Sequence, residues 1–226
     1  MGETFPQLLL ERAAEFGDRP ALREKDYGIW QSITWRDYLQ HVRWFCQGLV
    51  HLGLTSEDTV AIIGDNRPEW IYAELAAQAA GAKSIGIYQD AVVKEMIYII
   101  THAQVKFIVV EDQEQVDKIL EMWDELTGVQ GVIYYDPKGL RNYTEEFLLF
   151  FPDVEEMGKR FAQQHPNWFE ESVAKGKGSD IAVLSTTSGT TGNPKLAMIS
   201  HNNLISMGRA LMQIDPLHPD DRFVSF

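Results

Sequence analysis

The sequence predicts an α/β fold, a parallel sheet with helices on its flanks. Three observations carry that expectation. Short apolar runs rich in valine and isoleucine recur between residues 55 and 136. Between them lie stretches whose apolar residues repeat at helical spacing. Glycine and proline stand at the junctions, and such alternation implies parallel pairing with right-handed crossovers.

The elements are expected in the following order. Thr34 to Leu52 is an amphipathic helix: Thr34 and Asp37 form a capping box, Tyr38, Val42, Phe45, Leu49 and Leu52 make its apolar face, and Gly53 stops it. Val60 to Gly64 is a strand buried on both faces. Pro68 opens a helix that closes at Gly81. Ser84 to Tyr88 is a second strand, after which Asp90 caps a helix carrying Val93, Ile97 and Ile100. Val105 to Val110 is a third strand, followed by a helix with Val116, Ile119, Leu120 and Trp123 on one face. Val129 to Tyr135 is a fourth strand. The rhythm then breaks between Asp136 and Asp180, with helical fragments expected at Glu145 to Phe150 and Val154 to Gln164, and an exposed connector at Ala174 to Ser179. Ile181 to Thr187 is a further strand, and the chain ends on a strand-like segment, Asp221 to Phe226. Residues 55–136 thus read as repeated strand–helix units, 137–180 as a helical insertion with connector, and 181–226 as the region that bears the donor-rich loop described below.

Composition bounds the function. The 226 residues carry 20 Lys and Arg against 33 Asp and Glu, a net charge of −13, without the clustered basic face that nucleic acid requires. One cysteine, Cys46, excludes an internal disulfide and a cysteine-based zinc site, and it reads as a small buried hydrophobe. No metal site is expected. The N-terminus has neither the basic region nor the apolar run of a signal peptide, and no stretch is apolar enough to span a bilayer. A cytoplasmic location follows as the default, with room for peripheral contact with a membrane. Tyr88 and Trp70 read as core or interface aromatics.

The segment that carries chemistry is Thr186 to Lys195, Thr-Thr-Ser-Gly-Thr-Thr-Gly-Asn-Pro-Lys. Gly189 and Gly192 free the backbone to turn tightly and bring its N–H groups to a ligand. Thr187, Ser188, Thr190 and Thr191 add hydroxyl donors, and Lys195 adds a hydrated positive charge. A concave, cationic, donor-rich surface of this kind suits a polyphosphate. An ordinary surface turn uses the same residue types, but rarely so many donors in succession beside a strand. The loop is not a Walker loop, because Pro194 stands where glycine is needed before the lysine and Leu196 supplies no hydroxyl after it. Nor does any G-x-G-x-x-G follow the early strands.

Thr187 to Lys195, with Met198-Ile-Ser-His201 and Asn203-Leu204, resembles the phosphate-loop signature of the adenylate-forming superfamily. Ile33-Thr34-Trp35, Val60-Ala61-Ile62, Asp65 to Trp70, Ala80-Gly81-Ala82 and Gly86-Ile87-Tyr88 extend the resemblance toward long-chain fatty acyl-CoA synthetases. The resemblance implies the large N-terminal domain of the acyl-CoA synthetase and luciferase-like fold, here incomplete. It also implies ATP, Mg2+ and coenzyme A, a fatty acid as the second substrate, and Thr187, Ser188, Gly189, Thr190, Thr191, Gly192 and Lys195 around the nucleotide phosphates. The family's ribose, adenine and hinge segments and its catalytic lysine are expected beyond Phe226, so the chain is expected to be a fragment that is inactive alone. The alternative is a nucleotide-binding or regulatory module without catalysis. Leu196 replaces a family glycine, which a positive φ there would strain, and Thr186 replaces an aromatic residue. His201 is expected to cap or pack at the following helix, with a role near the nucleotide left open.

Overall fold

The central strands of the main sheet, residues 59–63 and 105–110, bury both faces, and that requirement organises the molecule. The computed structural model describes residues 2–187 and 194–225. Helix α1 (Phe5–Phe16) and an antiparallel hairpin, β1 (Pro20–Asp26) and β2 (Ile29–Thr34), precede α2 (Trp35–His51). There follow β3 (Thr59–Ile63), α3 (Pro68–Ala79), β4 (Lys83–Ile87), α4 (Val93–His102), β5 (Val105–Val110), α5 (Gln113–Met122) and β6 (Gly131–Tyr134). The remaining elements are β7 (Leu148–Phe150), α6 (Phe151–Gln164), α7 (Trp168–Lys175), β8 (Ile181–Thr187), β9 (Lys195–Ser200) and α8 (His201–Ile214).

The seven-stranded sheet runs β7-β6-β5-β3-β4-β8-β9, parallel throughout except for β9, which pairs antiparallel to β8. Strand alternation divides the core in two. Val60, Ile62, Phe107, Val109 and Ile133 face one way, onto α1, α2, α3, α6 and α7. Ala61, Ile63, Ile85, Ile108, Val110 and Val132 face the other, onto α4 and α5. Strands covered on both sides explain the unbroken apolar runs.

The capping box of α2 is present: the Thr34 hydroxyl accepts from the Asp37 N–H, and the Asp37 carboxylate accepts from Thr34. Gly53 follows α2 with φ 100°, a conformation that glycine adopts freely, and Cys46 is fully buried. Several expectations need correction. Asp90 does not cap α4, which begins three residues later behind Val92 without a side-chain cap. Glu145 to Phe150 is not helical. Phe147 to Phe150 is a continuous apolar run, and its last three residues extend the sheet as β7 beside β6. Residues 221–225 form no strand, having no neighbouring strand to pair with, and Phe223 and Val224 are exposed. Tyr88 is no core residue, being 83% exposed. Trp70 does pack against the first core, over Gly86, where an added Cβ would lie 3.1 Å from its Cζ2.

Candidate nucleotide-binding edge

Parallel strands bring their carboxyl ends to one edge, and the loops leaving that edge form the candidate site. The chain passes from β3 to β4 on one side and returns to β5 on the other, which makes β3 a topological switch point; open α/β sheets bind ligands outside the strand ends there. Ile63-Gly64-Asp65, Tyr88, Glu111, Tyr135 and Thr187 all emerge at this edge.

Thr187 ends β8 and Lys195 begins β9, both exposed, and the two are cross-strand partners. The Thr187 hydroxyl donates to the Lys195 carbonyl at 3.4 Å. The antiparallel turn of β9 therefore pins the two ends of the loop together at the carboxyl edge. Ser188, Gly189, Thr190, Thr191 and Gly192 lie outside the described residues. Leu196 sits within β9 opposite Thr186, packed against the second core, and it is not among the positive-φ residues, so the expected strain is absent. An extended strand accepts any side chain at this position.

Beside the loop, Glu111 ties three strand ends together. Its Oε2 accepts the Asp65 N–H at 2.6 Å and its Oε1 lies 3.4 Å from the Arg67 Nε. Its own N–H donates to the Ile63 carbonyl, and its carbonyl accepts from Asp136. Burial works against the charge on Arg67, but the combined attraction of Glu111, Glu24 and Glu69 outweighs it and holds the guanidinium ionised. Gln89 donates to Asp65 at 3.0 Å. With β4 between them, β3 and β8 are about 10 Å apart, so this polar group and Thr187 flank the exposed Tyr88. The sequence reading missed Glu111. Its signal was a carboxylate directly after the apolar run Phe107 to Val110.

On the first-core side of the same edge, a cavity of about 240 Å3 is lined by His41, Glu69, Tyr72, Tyr135, Phe151 and Glu155, among others. Burial raises the Glu69 carboxyl and pushes the Tyr135 phenol up, keeping that phenol protonated. His41 stacks on Tyr72 at 4.8 Å, and its Nδ1 lies 2.7 Å from the Glu155 carboxylate. That bond raises the His41 pKa against the opposing effect of burial. A raised folded-state value means the pair stabilises the fold fully below the ordinary histidine value of about 6.5 and loses its effect as pH rises through the folded value. Glu155→Gln should therefore cost about 1 kcal/mol at pH 6, a modest figure because His41 is 38% exposed. The difference from wild type should shrink by pH 9. Urea titrations at the two pH values test this, and a pH-independent difference would refute it.

A larger cavity, about 730 Å3, opens at the opposite, amino edge between Thr55, Gly81, Lys83, Asp180 and His201. It lies away from the donor-rich loop and from the polar strand ends, so size does not identify the site. His201 belongs to this far edge. Strand β9 carries the chain about 20 Å from Lys195 to His201, so the two lie at opposite edges of the sheet. The His201 Nδ1 instead accepts the Phe5 N–H at 3.3 Å, joining α8 to α1, and burial lowers its pKa.

Comparison with known proteins agrees with this fold. A family model described as AMP-binding enzyme matches residues 9–226. The chain is 32% identical over 229 residues to the long-chain-fatty-acid–CoA ligase ACSBG2 of Rattus norvegicus, covering 99% of this chain and 33% of that protein. It is 31% identical to ACSBG1 of the same organism over 220 residues, covering 96% and 29%. The chain thus spans about a third of the length of these relatives. Among solved structures, the anthranilate CoA ligase AuaEII in complex with anthranoyl-AMP superposes with a TM-score of 0.75 at 19% identity, over 92% of this chain and 37% of that one. The luciferase-like enzyme from the mealworm Zophobas morio gives 0.73 at 20%, over 92% and 45%. Those two likenesses concern the fold. The chain belongs to the AMP-binding enzyme family.

Proposed function

We propose that this chain supplies the phosphate loop of an AMP-forming acyl-CoA ligase that activates a long-chain fatty acid. The observation that carries the reading is the cross-strand pair Thr187 and Lys195 at the carboxyl edge, closing a loop of hydroxyls and glycines. A fatty-acid carboxylate would attack the α-phosphorus of ATP, releasing pyrophosphate. Coenzyme A would then take the acyl group from the adenylate as a thioester, releasing AMP. Negative charge grows on the departing pyrophosphate, and donors already in place around it lower the barrier without reorganising. Thr187, Ser188, Thr190 and Thr191 supply hydroxyls to that oxygen cluster, and Lys195 supplies the charge. Gly189 and Gly192 let the backbone approach and close. A magnesium ion bound with the nucleotide would supply further positive charge against the departing pyrophosphate.

The long-chain assignment rests on the names of the relatives at 31–32% identity. Two thirds of their length has no counterpart in these 226 residues. The activity is therefore assigned to the whole protein, and the 226 residues alone are expected to bind nucleotide without turnover. The test is pyrophosphate exchange by the whole protein with acids of graded chain length. Lys195→Ala should lower kcat/KM by roughly 10² to 10³. Unchanged exchange in that variant would sink the role of the loop, and a preference for short or aromatic acids would sink the substrate class.

A further inference from the structure

The β1–β2 hairpin ends in a tip that the fold does not explain. Asp26 pairs with Ile29, so Tyr27 and Gly28 form a two-residue turn, with φ 45° and 82°. A turn with both φ positive favours Asn-Gly or Asp-Gly, and a bulky aromatic residue in that region carries backbone strain. Tyr27 is nevertheless there, 98% exposed, and the two residues after the turn, Ile29 and Trp30, are 67% and 64% exposed. The base of the hairpin is anchored differently: Ala21, Leu22 and Ile33 pack against the first core. Three large apolar side chains thus project from a ribbon whose root is half-buried.

Size and charge say what such a tip fits. Aromatic side chains bury about 150–250 Å2 each, so the three together fall short of the roughly 800 Å2 per partner of a specific protein interface. A narrow wedge of Tyr, Ile and Trp instead matches the interfacial zone of a bilayer, where aromatic rings with a polar atom are favoured. Charge points the same way. The hairpin, residues 20–34, carries two basic side chains (Arg23, Lys25) against two acidic ones (Glu24, Asp26), while the whole chain carries 20 against 33. The hairpin is thus spared the excess of acid that would repel phospholipid headgroups. Lys25 lies 6.0 Å from the Trp30 ring centroid, close enough to reach the phosphate level while the ring enters below it.

We propose that the Tyr27–Trp30 tip is a shallow membrane anchor that docks the protein on the phospholipid headgroup and upper acyl zone. The inference goes beyond the ligase reading and does not need it, because vesicle binding is measured without ATP, acid or turnover.

The experiment is flotation of the full-length protein with phosphatidylcholine vesicles containing a minor share of phosphatidylserine. Wild type is expected to float. Ile29→Ser with Trp30→Ser should lower partitioning about tenfold or more, because interfacial binding scales with the apolar area inserted. Tyr27→Asn is the sharper probe: it suits the turn, so thermal stability should hold or rise while vesicle binding falls. A merely structural role predicts the reverse. Met207→Ser, an exposed apolar residue on α8, should leave flotation unchanged. The proposal is overturned if wild type does not float, or if the tip variants float as wild type does. It is overturned equally if Trp30 in the vesicle-free full-length protein is shielded from iodide quenching, since the tip would then be covered by protein.

Discussion

Gly158→Ala should destabilise the protein by about 3 kcal/mol, although alanine is the better helix former by roughly 1 kcal/mol. Gly158 lies where α6 crosses α2, and a Cβ built there would stand 1.8 Å from the Trp44 carbonyl oxygen and 2.8 Å from the Gly48 backbone nitrogen. The partner glycine is as constrained: a Cβ on Gly48 would lie 2.1 Å from the Val154 carbonyl oxygen. Both obstacles are backbone, which cannot turn aside as a side chain can, so the helices would have to separate along their length. The propensity gain is lost in that separation, because the apolar contacts of Phe45, Leu49 and Val154 open with it. The urea midpoint of Gly158→Ala measures this, with an unchanged m-value. A midpoint within about 0.5 kcal/mol of wild type would mean that the helices have slack there.

Phe45→Ala should cost about 3–5 kcal/mol. Phe45 is fully buried and stacks on Phe151 with ring centroids 3.8 Å apart and planes 7° from parallel. Truncation leaves a cavity flanked by α2 on one side and the start of α6 on the other, neither of which can collapse past the glycine contact. Phe45→Leu, which keeps most of the volume, should cost less than half as much. Equal losses for the two variants would show that the ring plane matters more than the volume. The site would report the same change. Phe151 also lines the carboxyl-edge cavity with His41 and Glu155, so loosening Phe45 should reduce the pH dependence of the His41–Glu155 pair.

These two contacts also show where reading along the chain stopped. Residues 137–180 read as an insertion because their pattern breaks the strand–helix rhythm. In space, α6 packs backbone to backbone on α2, through glycines 110 residues apart in sequence. Nothing local in Gly48 or Gly158 announces a partner. Leu148 to Phe150 is ambiguous in the same way, since a three-residue apolar run suits a helix or a strand until an unpaired edge such as that of β6 is beside it. Asp90 misled for the opposite reason: it is a good cap by type, but the turn before α4 ends two residues too late for it.

The site divides similarly. Thr187 and Lys195 were legible from residue type and spacing, because phosphate binding needs donors, charge and backbone freedom in succession. That they meet as cross-strand partners, and that Leu196 is unstrained, depended on β9 turning back against β8. Glu111 and Arg67, 44 residues apart, could meet only after β3 and β5 had paired.

By itself, then, the sequence determined the strand–helix alternation, the residues buried in β3 and β5, the capping of α2 and the chemistry of the loop. Each follows from neighbours within one or two turns, where periodicity and side-chain type act directly. The tertiary structure alone decided the strand order, the antiparallel edge, the carboxyl-edge cluster at Glu111 and the crossing of α2 with α6. Those depend on which distant backbones approach closely enough to exclude a Cβ or share a hydrogen bond, and no local pattern encodes that distance.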